Sequence, residues 1–438
     1  MKIERKYLTV PLTAQLEITD FCNHKCVHCY NLDSKIENRP DRKVTDEIVL
    51  SCAQKLIDSK IFAVVVTGGE PLINKDLAKK VITLFRKNNV SVSLNSNLTL
   101  LDDDFITFLK ETNITILTSC PSSIPTSFEK LSGTDNYTRF MTNIKKLFLK
   151  GVWVTVNMVV TKDNLHEIRT TAEKMKELGC KSFTATPMGL NMNYPRLDLL
   201  LSIEDAHKVI DDLLWIEKTL SLNVDILTAL PKCMFSKKIL NENHSFLKRK
   251  CQAGRTIIAV SCNGDVRPCV HNSISYGNIL EEDLKTIWAK MADWRSLQYI
   301  PLECKDCIWL NRCNGGCRTN AKTTGGEWNS KESLAIAPLE IPLPEGKHIE
   351  LKFDTILQVN PNYKYRQEDE TGFVVYNITD NTYFMVNKIY CNFIVGLKDN
   401  VTFTFGDLLK EYNENAENKD FYNVILFLIQ KNIIKIVV

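Results

Sequence analysis

The sequence predicts an α/β fold: a parallel sheet of six strand–helix units, then a cysteine- and glycine-rich region, then a small α+β domain. Three observations predict it. Short apolar strands alternate with amphipathic helices from residue 12 to about 230, and such repetition builds a parallel sheet, open or curled into a barrel. Nine of the fifteen cysteines, Cys262 not among them, fall into two dense groups, at 22–29 and 251–317. A proline-rich stretch at 337–346 (APLEIPLPEG) reads as a linker before a final segment with its own strand and helix pattern.

Taken in order, the strands are expected at 12–19, 62–68, 90–95, 114–119, 152–160 and 181–188, each short, apolar and rich in β-branched residues. Helices are expected at 46–59, 76–89, 137–151 and 166–179, the last stopping on Gly179. Residues 231–250 form a polar, lysine-rich bridge, and 251–335 carry little regular periodicity, as where ligands rather than a large core fix the chain. After the linker, strands are expected at 349–359, 372–379 and 382–387, followed by two helices and a short apolar end, an order that resembles a small winged-helix domain.

Bulk properties narrow the function. A chain of 438 residues is too long for one core. Its 44% hydrophobic and 24% charged residues are those of an ordinary globular protein. With 55 basic against 52 acidic residues, net charge is +3 and gives no reason to expect nucleic acid or a membrane as partner. The charged amino terminus reads as no export signal and no stretch reaches the length of a membrane span, so the cytoplasm is expected. Thiols stay reduced there, which makes clustered cysteines metal or cluster ligands rather than disulfides. Scattered Cys52, Cys120, Cys180, Cys233 and Cys391 read as small buried hydrophobes.

Cys22, Cys26 and Cys29, with Tyr30 following, come directly after the first strand. Three thiolates in one tight loop can hold one face of an iron–sulfur cubane and leave its fourth iron open. A structural zinc would need four ligands, and His24 or His28 could supply the last. Behind the second strand stand Thr67, Gly68, Gly69, Glu70 and Pro71, where glycines allow close backbone approach and Glu70 can accept a hydrogen bond from a cationic amine.

CxxxCxxCY followed by GGEP resembles the radical S-adenosylmethionine (radical SAM) enzymes. The resemblance implies a partial (β/α)6 TIM-type barrel over 12–235 and a [4Fe–4S] cluster on Cys22, Cys26 and Cys29. There one electron from an external low-potential donor cleaves S-adenosylmethionine to a 5′-deoxyadenosyl radical. It implies cofactor contacts from Tyr30, Gly68, Gly69, Glu70 and Pro71. Ser96 and Asn97 match the family's ribose-contact position, although Leu98 stands where glycine is usual. Thr118–Ser122 depart from the family's aspartate-bearing strand, and Asn157 and Asn164 fall where relatives carry polar strand-end residues.

Cys251, Gly264 and Cys269, then Cys304, Cys307, Cys313 and Cys317, resemble the SPASM extension over 248–335, which implies one or two auxiliary iron–sulfur clusters. By that resemblance Cys251, Cys269 and Cys317 hold one, and Cys304, Cys307 and Cys313 the other. Ala335 stands at the family's seventh cysteine; Glu332 or another oxygen ligand could replace it, or the cluster is incomplete or absent. Cys262 is an extra thiol that either completes the first auxiliary cluster or sits on a strand. The family's sulfatase-maturing branch has an aspartate after the second SPASM cysteine, whereas this chain has Val270 and then His271, a candidate base. The CxxC pairs alone would also fit a zinc ribbon.

Residues 345–438 resemble the PqqD-like recognition domain of ribosomal-peptide biosynthesis, which captures a precursor's leader peptide as an added strand. The acidic run Glu368, Asp369, Glu370 and Asp380 argues against a nucleic-acid face. Together the resemblances imply a peptide-modifying maturase that forms an oxidative crosslink (thioether, carbon–carbon or carbon–oxygen). Two alternatives stay open: a maturase of a folded protein partner, and a non-enzymatic metal-binding winged-helix regulator.

Overall fold

The computed structural model describes residues 8–31, 44–242, 244–343, 349–370, 372–378, 382–397, 402–412, 414 and 418–437. The chain divides into two compact units, one formed by Val10–Pro344 and the other by Glu345–Val438 joined by Leu8 and Thr9.

The first unit is built on β1 (Thr13–Glu17), β2 (Ala63–Thr67), β3 (Ser91–Asn95), β4 (Thr115–Ser119), β5 (Val154–Val160), β6 (Ser182–Pro187) and the short β7 (Asn223–Asp225). All pair in parallel with their sequence neighbours, in registers such as Glu17 opposite Thr67. Helices α1 (Asp46–Asp58), α2 (Lys75–Lys87), α3 (Asp103–Thr112), α4 (Pro125–Ser132), α5 (Tyr137–Leu149), α6 (Ile168–Leu178) and α7 (Ile203–Leu220) connect them. They start where capping residues dictate: Thr45 accepts from Ile48 N, and Ser202 with Asp205 closes a capping box. Each helix buries an apolar face; α2 buries Leu77, Val81, Ile82 and Phe85.

The sheet is larger than six units. β8 (Ile257–Val260) lies parallel on the free side of β1, and β9 (Val266–Arg267) returns antiparallel to β8, giving the order β7-β6-β5-β4-β3-β2-β1-β8-β9. The cysteine-rich stretch expected to lack regular structure therefore supplies a strand, because Ile257–Val260 is too apolar to leave β1 unpaired. The partial barrel points the carboxyl ends of its parallel strands one way, so the loops after β1, β2 and β3 gather at one mouth. Helix α8 (Arg318–Gly325) follows the last cysteine.

Part of the expected linker is structured. Trp309 Nε1 donates to Ile341 O at 2.7 Å and Leu339 N to Cys307 Sγ at 3.4 Å, which fixes that stretch against the cysteine-rich region; 344–348 lie outside the described residues.

The second unit holds two three-stranded antiparallel sheets. One runs β14-β10-β15, from β10 (Ile356–Val359), β14 (Thr402–Thr404) and β15 (Ile434–Ile436). The other runs β11-β12-β13, from β11 (Tyr363–Gln367), β12 (Gly372–Asn377) and β13 (Thr382–Asn387). Three helices, α9 (Lys388–Gly396), α10 (Phe405–Glu411) and α11 (Lys419–Gln430), stand where two were expected. The unit has its own core, with Leu357, Ile394, Phe405, Ile425 and Ile434. Glu368 is no part of an acidic face: it is buried and bonded to Arg366 and to Thr9. Asp380 lies outside the described residues.

Candidate active site

The loop after β1 carries Cys22, Cys26 and Cys29 and is pinned by backbone on two sides. Gly69 N donates to Thr19 O (2.7 Å) and Glu70 N to Phe21 O (2.8 Å) from the loop after β2. Lys25 N and Val27 N donate to Ser132 O and Leu131 O at the end of α4. The two glycines are required by the cysteine loop itself, not only by a ligand. A Cβ on Gly69 would meet Phe21 O at 2.0 Å, and one on Gly68, at φ +137°, would meet Thr19 O at 2.3 Å. All three thiols are partly exposed. His24 is buried, with its ring against Phe128 and Nε2 3.5 Å from Thr99 Oγ1.

Glu70 is the junction of three loops. One carboxylate oxygen accepts from Leu72 N (3.0 Å) and Ser96 Oγ (2.7 Å), the other from Asn97 N (2.7 Å). Burial raises its proton affinity and these donors, led by Asn97 N–H, lower it. A carboxylate has about four lone-pair sites and three are used, so one acceptor site is left for a cationic amine. Pro71 opens the short turn that Glu70 caps. Asn97 continues the network, donating to Asn23 Oδ1 (2.8 Å) within the cysteine loop and accepting from Thr99. Leu98 adopts φ +61°, the left-handed conformation glycine takes freely, and is held there by a fully buried side chain.

Tyr30 is half-buried, its hydroxyl 3.1 Å from Thr67 Oγ1 and its carbonyl accepting from Asn191 Nδ2 (2.6 Å). Burial pushes its phenol well above the usual range. Its ring lies 5.3 Å from that of His271. Both face a cavity of about 650 Å³ whose wall also includes Glu17, Asn191, Arg267 and Asn272. The floor is polar: Glu17 and Arg267 form a buried ion pair, and Glu17 Oε1, Arg267 Nε, His271 Nδ1 and Asn272 Nδ2 have no hydrogen-bond partner among the described residues. Burial holds His271 below the usual imidazole range, hence neutral. Four unsatisfied buried polar atoms around one cavity fit a polar ligand in it. Sequence reasoning missed Glu17, Arg267 and Asn272, which no spacing marks.

Asn157 and Asn164 serve the scaffold. Asn157 Oδ1 accepts from Thr184 and Thr186, and Asn164 binds Pro121 O and Val159 O. Cys120 is buried, its thiol pushed up to about 12 by desolvation.

The second cysteine group separates into two sets. Burial, with the nearby Cys251, pushes Cys269 up to about 11, and Cys251 and Cys269 together add to the burial that raises Cys317. Cys262 is buried at the wall of the cavity with Ser261 and Asp265. Cys304, Cys307 and Cys313 form the other set; burial and those two neighbours push Cys304 up to about 11. Glu332 is bonded to Leu334 N (2.8 Å), Ser333 and Asn320 and adds its charge to the surroundings of Cys317. Among the described residues no three His, Cys, Asp or Glu side chains close to the grip of a single ion.

Residues 16–193 match the Radical SAM superfamily, and residues 251–308 match SPASM, an iron–sulfur cluster-binding domain. The chain is therefore an enzyme that carries a radical SAM domain and a SPASM domain, whose cofactors are a [4Fe–4S] cluster with S-adenosylmethionine and auxiliary iron–sulfur clusters. Among its relatives is the antilisterial bacteriocin subtilosin biosynthesis protein AlbA of Bacillus subtilis (strain 168), 27% identical over 289 residues. That match covers 64% of this chain but only 60% of AlbA. The AdoMet-dependent heme synthase of Nitratidesulfovibrio vulgaris is 23% identical over 73% of this chain and 90% of its own. In fold, the chain resembles Streptococcus suis SuiB bound to S-adenosylmethionine, with a TM-score of 0.59 and 20% identity over 75% of this chain and 78% of SuiB. Among the described residues no helix is long and apolar enough to cross a membrane.

Proposed function

We propose that this enzyme modifies a ribosomally made precursor peptide by oxidative crosslinking in the cytoplasm. In this reading residues 12–235 are the radical-generating barrel, 248–335 the auxiliary cluster domain and 345–438 a PqqD-like domain that holds the leader peptide. The observation that carries it is the β11-β12-β13 sheet: β13 is an edge strand, and an edge strand can take one more strand from a peptide. Kinship to a bacteriocin biosynthesis protein supports the same substrate class.

When bound and reduced, the first cluster supplies the electron that splits S-adenosylmethionine into methionine and a 5′-deoxyadenosyl radical. Cys22, Cys26 and Cys29 hold that cluster, and the free acceptor site of Glu70 takes the methionine amine. Gly68, Gly69 and Pro71 keep the loop around it closed, and Ser96 and Asn97 fix Glu70 and meet the ribose. Tyr30 walls the cofactor off from the cavity that receives the peptide segment. Arg267 and Asn272 bind its polar groups, and neutral His271 can accept a proton there. Cys251, Cys269 and Cys317 would hold one auxiliary cluster and Cys304, Cys307 and Cys313 another, and these clusters would supply a one-electron acceptor.

The test titrates full-length enzyme with short peptides encoded beside its gene, against a form ending at Pro344. Saturable binding by the full chain alone, with a mass loss in the core peptide on turnover, is expected. Equal binding by both forms would remove the recognition-domain role. A small-molecule substrate is the second reading, favoured by the match over 90% of a heme synthase; it predicts turnover without any peptide.

A further inference from the structure

Four thiols stand where the sequence pattern offers three. Cys233 lies in the single turn Lys232–Met234, beyond β7 and far in sequence from the SPASM cysteines. Ile336 N donates to Cys233 Sγ at 3.2 Å, so this thiol lies against the residue next to Ala335, where the family's seventh cysteine would stand. On its other side, the adjoining Lys232 N donates to Cys313 Sγ at 3.4 Å. Leu339 N donates to Cys307 Sγ at 3.4 Å, and Cys307 N to Cys304 O at 3.2 Å. Two backbone segments, 232–233 and 336–339, thus aim N–H groups at the thiols of Cys233, Cys307 and Cys313. Such donors stabilise sulfur that carries negative charge and tune cluster potentials.

The mutual fields agree. Cys313 lies within electrostatic reach of Cys233, and Cys313, Cys233 and Cys307 all lie within electrostatic reach of Cys304. The buried ammonium of Lys232, bonded to Phe246 O (3.3 Å) and Arg249 O (2.8 Å), adds positive charge beside this set. Glu332, the other candidate for the vacancy, bonds to Leu334 N, Ser333 and Asn320 and adds its charge at Cys317, in the other set.

We propose that Cys233 is the fourth thiolate of the cluster held by Cys304, Cys307 and Cys313, doing from the end of the barrel what the missing cysteine at position 335 would do. The assignment rests on the auxiliary clusters of the proposed function. On assembly each of the four thiols gives up its proton to solvent and forms one iron–sulfur bond. A cluster with four protein thiolates has no open iron, so it relays an electron and does not bind the peptide.

The test is anaerobic reconstitution of the full chain, with iron and sulfide counted and the reduced clusters read by electron paramagnetic resonance. Three cubanes give about twelve irons per chain in the wild type. Cys233→Ala leaves three thiolates on that cluster and is expected to displace or lose one signal, with iron falling towards about eight. Adding Ala335→Cys to Cys233→Ala is expected to restore both. If Cys233→Ala does not fold, Cys233→Ser carries the test, with a displaced signal expected. Twelve irons and an unchanged spectrum in either variant would overturn the assignment and leave the auxiliary clusters standing. A wild type with only eight would remove the second auxiliary cluster itself, and this site with it.

Discussion

Arg267, on β9, reaches across β8 to the carboxylate of Glu17 at the end of β1, and the pair is largely buried at the base of the cavity. Burial raises the proton affinity of Glu17 and the Arg267 guanidinium opposes that rise. Arg267 also donates to Val270 O and Asn272 O, so one side chain ties the barrel to the loop after Cys269. Removing one partner of such a pair strands a buried charge, at a cost of about 3–5 kcal/mol. Arg267→Met should lower the unfolding free energy by that amount, and with it the denaturation midpoint, and adding Glu17→Gln should recover a good part of it. Equal midpoints for wild type and Arg267→Met would show that the pair stabilises nothing.

Leu98 sets two magnitudes against each other. Its left-handed backbone costs a non-glycine residue about 1–2 kcal/mol, while emptying its buried site costs about 2–5. Both Leu98→Gly and Leu98→Ala should destabilise, but alanine keeps the strain that glycine relieves. We expect Leu98→Ala to be the less stable of the two in urea denaturation. The opposite order would mean that the +61° backbone carries no strain.

At Gly69 an added methyl meets the Phe21 carbonyl, which is backbone and cannot swing away. Gly69→Ala should displace the cysteine loop, lose the iron of the first cluster and reduce 5′-deoxyadenosine formation by two orders of magnitude or more. Gly151→Ala, which adds backbone strain at φ +73° but whose Cβ meets nothing within 4 Å, serves as the control and should keep both. Cys26→Ala should abolish 5′-deoxyadenosine formation outright; activity that survives it would sink the radical assignment.

Burial holds the thiols of Cys52 and Cys180 up at about 11 and that of Cys120 at about 12. In the native protein at pH 8 they should escape iodoacetamide, as peptide mapping would reveal. Unfolded thiols ionise near pH 9, so between there and the folded values the unfolded chain has released protons that the native chain retains. Stability should therefore fall as pH rises above 9 and be insensitive to these groups below it. For Cys120 the loss reaches about 4 kcal/mol at the alkaline limit. Rapid alkylation of Cys120 at pH 8 would contradict its burial.

The barrel was legible because parallel strands buried on both faces must be apolar and the helices over them amphipathic. The cysteine loop was legible because ligands on one loop keep fixed spacings. What escaped is what separate parts of the chain build together. Glu17 reads as one polar residue in a strand and Arg267 as one in a turn; only the pairing of β1 with β8 gives them a shared role. Cys233 reads as a small hydrophobe because its neighbours in space lie some seventy to a hundred residues onward. Helix α4 was missed because its eight residues are too few to display a period.

The pairing of β1 with β8 also governs how this protein comes into being. Residues 13–17 emerge first of the two, and their second partner, 257–260, follows roughly 240 residues later. At about 5–20 residues per second the nascent barrel spends 12 seconds or more with an unsatisfied strand edge. Such an edge invites pairing with another chain. Truncations that end before residue 257 should therefore aggregate, however complete their first six strands.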